Sequence, residues 1–114
     1  MATPRPKRVL LGPFAWALHW GQPPAAPDAM GYCDKGRKAI YIAPHSHPIE
    51  QVDTLIHEIL HAIYSQRGIY TADNRGEEEH LVHQFAGGLT EVMARNPKLV
   101  DWIQAVSYTH LRAH

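Results

Sequence analysis

An α+β fold is predicted by three features of the chain. Residues 8–43 carry short runs of alternating or β-branched apolar residues separated by Gly- and Pro-marked turns. Residues 48–64 and 77–95 instead repeat apolar residues at helical spacing. The change of period falls once, at the Pro-rich break Pro44 to Pro48, so strands and helices are segregated along the chain. The expected architecture is a small antiparallel sheet or hairpin, then two packed helices, then a short, truncated third one.

Residues 1–7 are polar and Pro-rich and are expected to fray. Arg8 to Trp20 reads as a strand or two, with a kink at Gly12-Pro13 and with Phe14, Trp16, Leu18 and Trp20 alternating. Gln22 to Asp28 holds three prolines, which cannot donate to a ladder, and is a loop. Gly31 to Asp34 and Lys38 to Ala43 flank Lys35-Gly36-Arg37 and form a hairpin with Gly36 at the turn. His47 is placed as an N-cap, with Pro48 at the first helical position and Glu50 three residues past the cap. Val52, Leu55, Ile56, Ile59 and Ile63 continue that helix to about Tyr64, and it stops before Gly68. A loop over 65–76 follows. The second helix starts near Glu77 with acidic residues in its first turn, where the helix dipole favours them. Its apolar stripe is Leu81, Val82, Phe85, Leu89, Val92 and Met93, and Asn96-Pro97 ends it. The third helix begins at Pro97.

A chain of 114 residues is one domain. Lys plus Arg equals Asp plus Glu, at 11 each, so no electrostatic case exists for direct nucleic-acid contact or for an anionic membrane. Cys33 is the one cysteine, which excludes an internal disulfide framework and favours a reducing, cytoplasmic setting. Arg5, Lys7 and Arg8 precede the apolar run Val9 to Leu18, but Gly12, Pro13 and Trp16 interrupt it, so it reads as strand and not as a signal peptide. No run is long and apolar enough to span a bilayer.

The informative motif is His57-Glu58-Ile59-Leu60-His61, an HExxH sequence. Two histidines at i and i+4 lie one above the other on one helical face, so both imidazoles can reach one metal ion. Glu58 sits about 100° further round, beside that metal, where a base for its water belongs. With nine histidines, chance placement yields the pattern roughly 0.04 times in this chain. A mid-helix, apolar setting does not readily hold two His and a Glu without partners. Satisfied core histidines are the plainer alternative.

A catalytic zinc takes a third protein ligand and keeps one open position. The metzincin extension is absent, because Tyr64 and Arg67 stand where its Gly and third His would be. The cluster Glu77-Glu78-Glu79-His80, with His83 one turn on, is the available source. Asp53, one turn before His57, is a candidate acceptor for an imidazole N–H. Tyr64, Tyr70, Arg75 and His80 are candidates for steadying the transition state. Cys33, Trp16, Trp20 and Trp102 read as packing residues, and His19, His45 and His47 as strand, loop and cap residues.

The pair TLIHEILHA and EEEHLVHQFAGGL resembles the gluzincin arrangement, in which HExxH is followed by a Glu on a second helix. The likeness is to small phage- and prophage-encoded metallopeptidases and, more distantly, to ImmA/IrrE-type domains, and it covers most of residues 8–104. It implies His57, His61 and Glu79 as zinc ligands, Glu58 as the catalytic base, His83 behind the metal and Phe85 as an apolar anchor. His83 stands where Asp or Asn is usual, and Glu78 lies nearer the face of Phe85 on a helical wheel. Both therefore stay open as the third ligand. The implied activity is hydrolysis of a peptide or protein substrate by zinc-activated water, with Ala39 to Ile42 as an edge strand that could hold the peptide. The alternatives are a metal-stabilised module without catalysis and an ImmA/IrrE-like protease that cleaves a regulator. Residues 106–114 match one reading frame of a sequencing-library adapter. They are expected to form an unstructured tail outside the domain, which then spans 8–105.

Overall fold

The computed structural model describes residues 3–44, 47–68 and 77–112, with the side chains of 77–79 and 110–112 outside that description. The expected loop residues 69–76, with Tyr70 and Arg75, and His45 fall outside it. Four strands precede three helices: β1 (Arg8–Leu11), β2 (Phe14–His19), β3 (Gly31–Asp34), β4 (Ala39–Ile42), α1 (Pro48–Gln66), α2 (Glu77–Arg95) and α3 (Pro97–Arg112). The α+β class and the order of sheet before helices are as the sequence predicts.

The sheet itself is mixed. Its order is β1-β2-β4-β3. The two hairpins are antiparallel, but β2 and β4 pair in parallel, with His19 opposite Tyr41. This corrects the expectation of a wholly antiparallel sheet. It also makes β4 an inner strand, so Ala39 to Ile42 is not an edge, and β3 takes that place.

The strands form where β-branched and aromatic residues alternate. Val9, Leu11, Trp16, Leu18, Ile40 and Ile42 point to one face and are buried there. Gly12 has φ +60°, so the two-residue Gly12-Pro13 turn opens on a left-handed residue and joins β1 to β2 with Leu11 opposite Phe14. In the second hairpin the left-handed residue is Lys38, at φ 53°, and not Gly36. The Asp34 side chain closes this turn by accepting the Arg37 N–H at 3.0 Å.

α1 lies across the apolar face of the sheet. It starts as predicted: His47 caps it by accepting the Ile49 N–H at 3.3 Å, and Pro48 occupies the first turn. It runs to Gln66, slightly past the expected end, and Gly68 with φ +60° follows. Val52, Leu55, Ile59, Ala62 and Ile63 are buried against the sheet, and Val92, Leu99 and Trp102 from the other helices complete the core. α2 crosses α1 closely at Gly88, where an added Cβ would lie 2.6 Å from Ile63 Cγ2. Only a residue without a side chain permits that approach.

α2 also closes the outer edge of β1. Asn96, at its C-terminal end, accepts the Leu10 N–H at 2.7 Å and donates to the Leu10 C=O at 2.9 Å and to the Val92 C=O at 2.8 Å. Glu91 accepts the Gly12 N–H at 2.6 Å, and Arg95 donates to the Gly12 C=O at 2.7 Å and to Glu91 at 3.1 Å. Side chains thus stand in for a missing neighbouring strand, which protects an otherwise open edge. The Gly12 N–H holds the Glu91 carboxyl below its usual range; burial opposes it, and Arg95 adds a smaller push downward. A lowered pKa contributes stability above the unfolded glutamate value of ~4.3 and loses it as pH falls through the folded value. Glu91→Gln is expected to lower stability by roughly 0.5 kcal/mol at neutral pH. Urea unfolding followed from pH 7 to pH 3 should show that difference shrinking toward the acid end.

Two expectations about the ends change. Residues 5 and 6 are engaged: Arg5 donates to Gln51 at 2.9 Å and stacks 4.8 Å above the Trp20 ring, and the Trp20 N–H donates to the Pro6 C=O at 2.9 Å. α3 is helical through Arg112, and Val106 packs against the core, so 106–112 continues the helix where a coil was expected. Helix propensity together with one apolar contact suffices for that extension. No helix among the described residues is long and apolar enough to cross a membrane.

Candidate metal centre

The HExxH residues fall in the middle of α1, and their side chains leave it in two directions. His57 and His61 are exposed, with ring centroids 4.9 Å apart at an angle of 68°. Both line a cleft of about 460 Å³ with Lys35, Leu60, Tyr64 and Phe85. Glu58 turns instead toward β3 and is 7 % exposed.

The reason for that burial is β3. Thr54 and Glu58, one turn apart on α1, meet Gly31 at the start of the strand. A Cβ on Gly31 would lie 2.5 Å from Thr54 Cγ2 and 2.9 Å from Glu58 Oε2. The strand and helix approach so closely only because Gly31 has no side chain. Burial raises the Glu58 pKa, opposed by the positive fields of His57 and His61. No described group donates a hydrogen bond to its carboxylate. Cys33, two residues along β3, has its thiol pushed up to about 11, first by burial and then by Glu58. At that value it is a neutral thiol and a packing residue, as expected.

Gly31→Ala should therefore strain the packing of β3 against α1. The added methyl must displace Thr54 or the Glu58 carboxylate by several tenths of an ångström. Overpacking of this kind typically costs about 1–3 kcal/mol. The expected outcome is a urea-unfolding midpoint lowered by a cost in that range; an unchanged midpoint would show that Thr54 and Glu58 give way freely.

The remaining sequence-derived candidates divide as follows. Glu79, together with Glu77 and Glu78, lies outside the described side chains, so its expected place as third ligand has no observed geometry. The backbone of α2 carries that segment, and Phe85, six residues after Glu79, lines the cleft with both histidines. His80 and His83 are exposed on α2 and line no part of the cleft. Among the described residues no group of three or more His, Cys, Asp or Glu side chains gathers around one point. Asp53 is exposed in the first turns of α1 and makes no hydrogen bond to His57, so of its two readings, imidazole acceptor or solvated acid, it takes the second. Of the four proposed transition-state residues, Tyr64 is in the cleft. Sequence reasoning missed Gly31, Thr54 and Lys35. Gly31 had a visible signal, since a glycine at a strand start often marks a close approach; Lys35 had none, because a turn lysine is ordinarily solvated.

His57 and His61 suit zinc: two imidazoles on one helical face, open to solvent, and with no hydrogen-bond partner among the described residues. Comparison with protein-family models, with curated proteins and with solved structures returned no match.

Proposed function

We propose that this chain is a zinc-dependent hydrolase, a small metallopeptidase whose ligands are His57, His61 and Glu79. The observation that carries this reading is the pair of solvent-facing imidazoles beside a buried, donor-free glutamate. A purely structural metal site has no use for that glutamate.

Bound at His57 and His61, zinc supplies Lewis acidity toward water and toward the scissile carbonyl. The residues of the chain do the rest. Glu58 accepts a proton from the attacking water at a carboxylate oxygen. It then returns that proton to the amide nitrogen as the C–N bond breaks, so one water is consumed and an acid and an amine leave. Tyr64 lines the same cleft, and its hydroxyl would donate a hydrogen bond to the oxygen that becomes negative.

An extended peptide has a place to lie. The Ala43 N–H donates to the Met30 C=O at 2.8 Å. By the alternation of antiparallel ladders, Tyr32 and Asp34 then also bond to β4, and the N–H and C=O groups of Gly31 and Cys33 face outward. Among the described residues no strand covers that side of β3. A substrate strand added there would pass beside Glu58.

The test begins with metal analysis, which should return about one zinc per chain. Chelation is expected to lower the melting temperature by roughly 10 °C, since a ligand at ~100 times its dissociation constant contributes ~2.7 kcal/mol. A melting curve indifferent to chelator would overturn the reading. Titration against a competing chelator should then show a greater loss of zinc affinity for Glu79→Ala than for Glu77→Ala, Glu78→Ala or His83→Ala, because loss of a residue behind the ligands typically costs about 10–100-fold. A greater loss at Glu78 or His83 would move the third ligand there.

A further inference from the structure

The cleft that holds His57 and His61 is otherwise mostly apolar and carries one cationic side chain. Leu60, Tyr64 and Phe85 supply hydrocarbon and ring surface, and Lys35 is the one lysine or arginine that lines it among the described residues. Lys35 comes directly after β3, in the turn that leads to β4. It is exposed and makes no ion pair among the described residues. Its neighbour Asp34 is occupied with the Arg37 backbone. The open edge of β3 therefore leads a substrate strand from Gly31, beside Glu58, toward an ammonium group at the other end. At about 3.3 Å per residue, that is a span of a few substrate residues.

We propose that Lys35 is a specificity-determining residue, and that the substrate carries a carboxylate beside a bulky apolar residue. The apolar side chain lies against Leu60 and Phe85, and the carboxylate meets the Lys35 ammonium. This inference rests on the hydrolase reading above. A chain with no net charge has no general pull on acidic partners, so the preference is confined to this cleft. The carboxylate belongs either to an Asp or Glu side chain or to the C-terminus of a short peptide. Both present the same group to the lysine.

The test uses zinc-loaded protein and tripeptides with an N-terminal hydroxamate group, which would anchor on the metal and whose binding needs no turnover. One Asp is scanned through the three positions of a leucine peptide amide, each compared with its Asn isostere, and the Asn peptide is also made with a free C-terminus. Calorimetry on wild-type protein should show one carboxylate position binding about fivefold tighter than its neutral counterpart, the upper end for a partly exposed ion pair. That preference should fade in 1 M salt. Lys35→Arg should keep it, and Lys35→Glu should reverse it. Tighter binding of the Asp peptide assigns the carboxylate to a side chain; tighter binding only of the free acid assigns it to a C-terminus. A one-to-one zinc complex that binds charged and neutral peptides equally, or whose preference survives Lys35→Glu, overturns this inference and leaves the hydrolase reading standing. A chain that holds no zinc overturns both.

Discussion

If the chain is the hydrolase proposed above, Glu58→Gln is expected to cripple hydrolysis while leaving zinc bound. Gln has the same shape, so it keeps the packing against Gly31 and Thr54, but it can neither take a proton from water nor return one to the leaving nitrogen. General acid–base catalysis contributes about 100- to 10,000-fold, and a loss in that range is the expected reading in a peptide-cleavage assay. Two further measurements fix the cause. Zinc content should be unchanged, because Glu58 turns toward β3 while His57 and His61 face the cleft. The metal-free variant should melt no lower than the metal-free parent, since burial already disfavours the Glu58 charge. Wild-type turnover in the variant would remove Glu58 from catalysis. Loss of zinc would make it a ligand instead.

Asn96→Ala is expected to be the most destabilising single change in the domain outside its apolar core. The side chain makes three hydrogen bonds to backbone, two of them to Leu10 in β1. Asn96 is 7 % exposed, so water cannot readily replace them. An unsatisfied buried donor or acceptor costs about 1–3 kcal/mol, and the removal strands the N–H and C=O of Leu10 together. A total of roughly 3 kcal/mol is a large share of the stability of a domain this size. Urea unfolding should show a lower midpoint with an unchanged slope. Asn96→Asp should be little better: it keeps the acceptor for the Leu10 N–H but sets a carboxylate against the carbonyls of Leu10 and Val92. A cost under 1 kcal/mol for Asn96→Ala would mean that β1 does not need this edge closure.

These two residues illustrate what was legible in the chain. Glu58 belongs to a pattern contained within five consecutive residues, and its spacing alone predicts that its direction differs from that of the histidines. The direction it does take, under Gly31, depends on a strand more than twenty residues earlier. Asn96 reads locally as the end of a helix before Pro97, which it is. Its pairing with Leu10 joins residues 86 apart, and no window of sequence contains both. The same limit explains Ala39 to Ile42. Its apolar run reads correctly as a strand, but whether that strand is an edge depends on what pairs with it from elsewhere.

The sequence by itself determined the segregation of strands from helices, the cap at His47-Pro48, the placing of His57 and His61 on one face of α1, and the break in strand direction at Gly12-Pro13. Each follows from dihedral preferences and side-chain periodicities that act within a few residues. Only the tertiary structure decided the parallel pairing of β2 with β4, the closing of β1 by Asn96, Glu91 and Arg95, the burial of Glu58 against Gly31, and the entry of Lys35 into the histidine cleft. Those follow from which apolar faces the chain packs together. Strand pairing and helix docking are won by the burial of Val9, Trp16, Ile40, Leu55 and Ile63 in one core, a collective choice that no single segment carries.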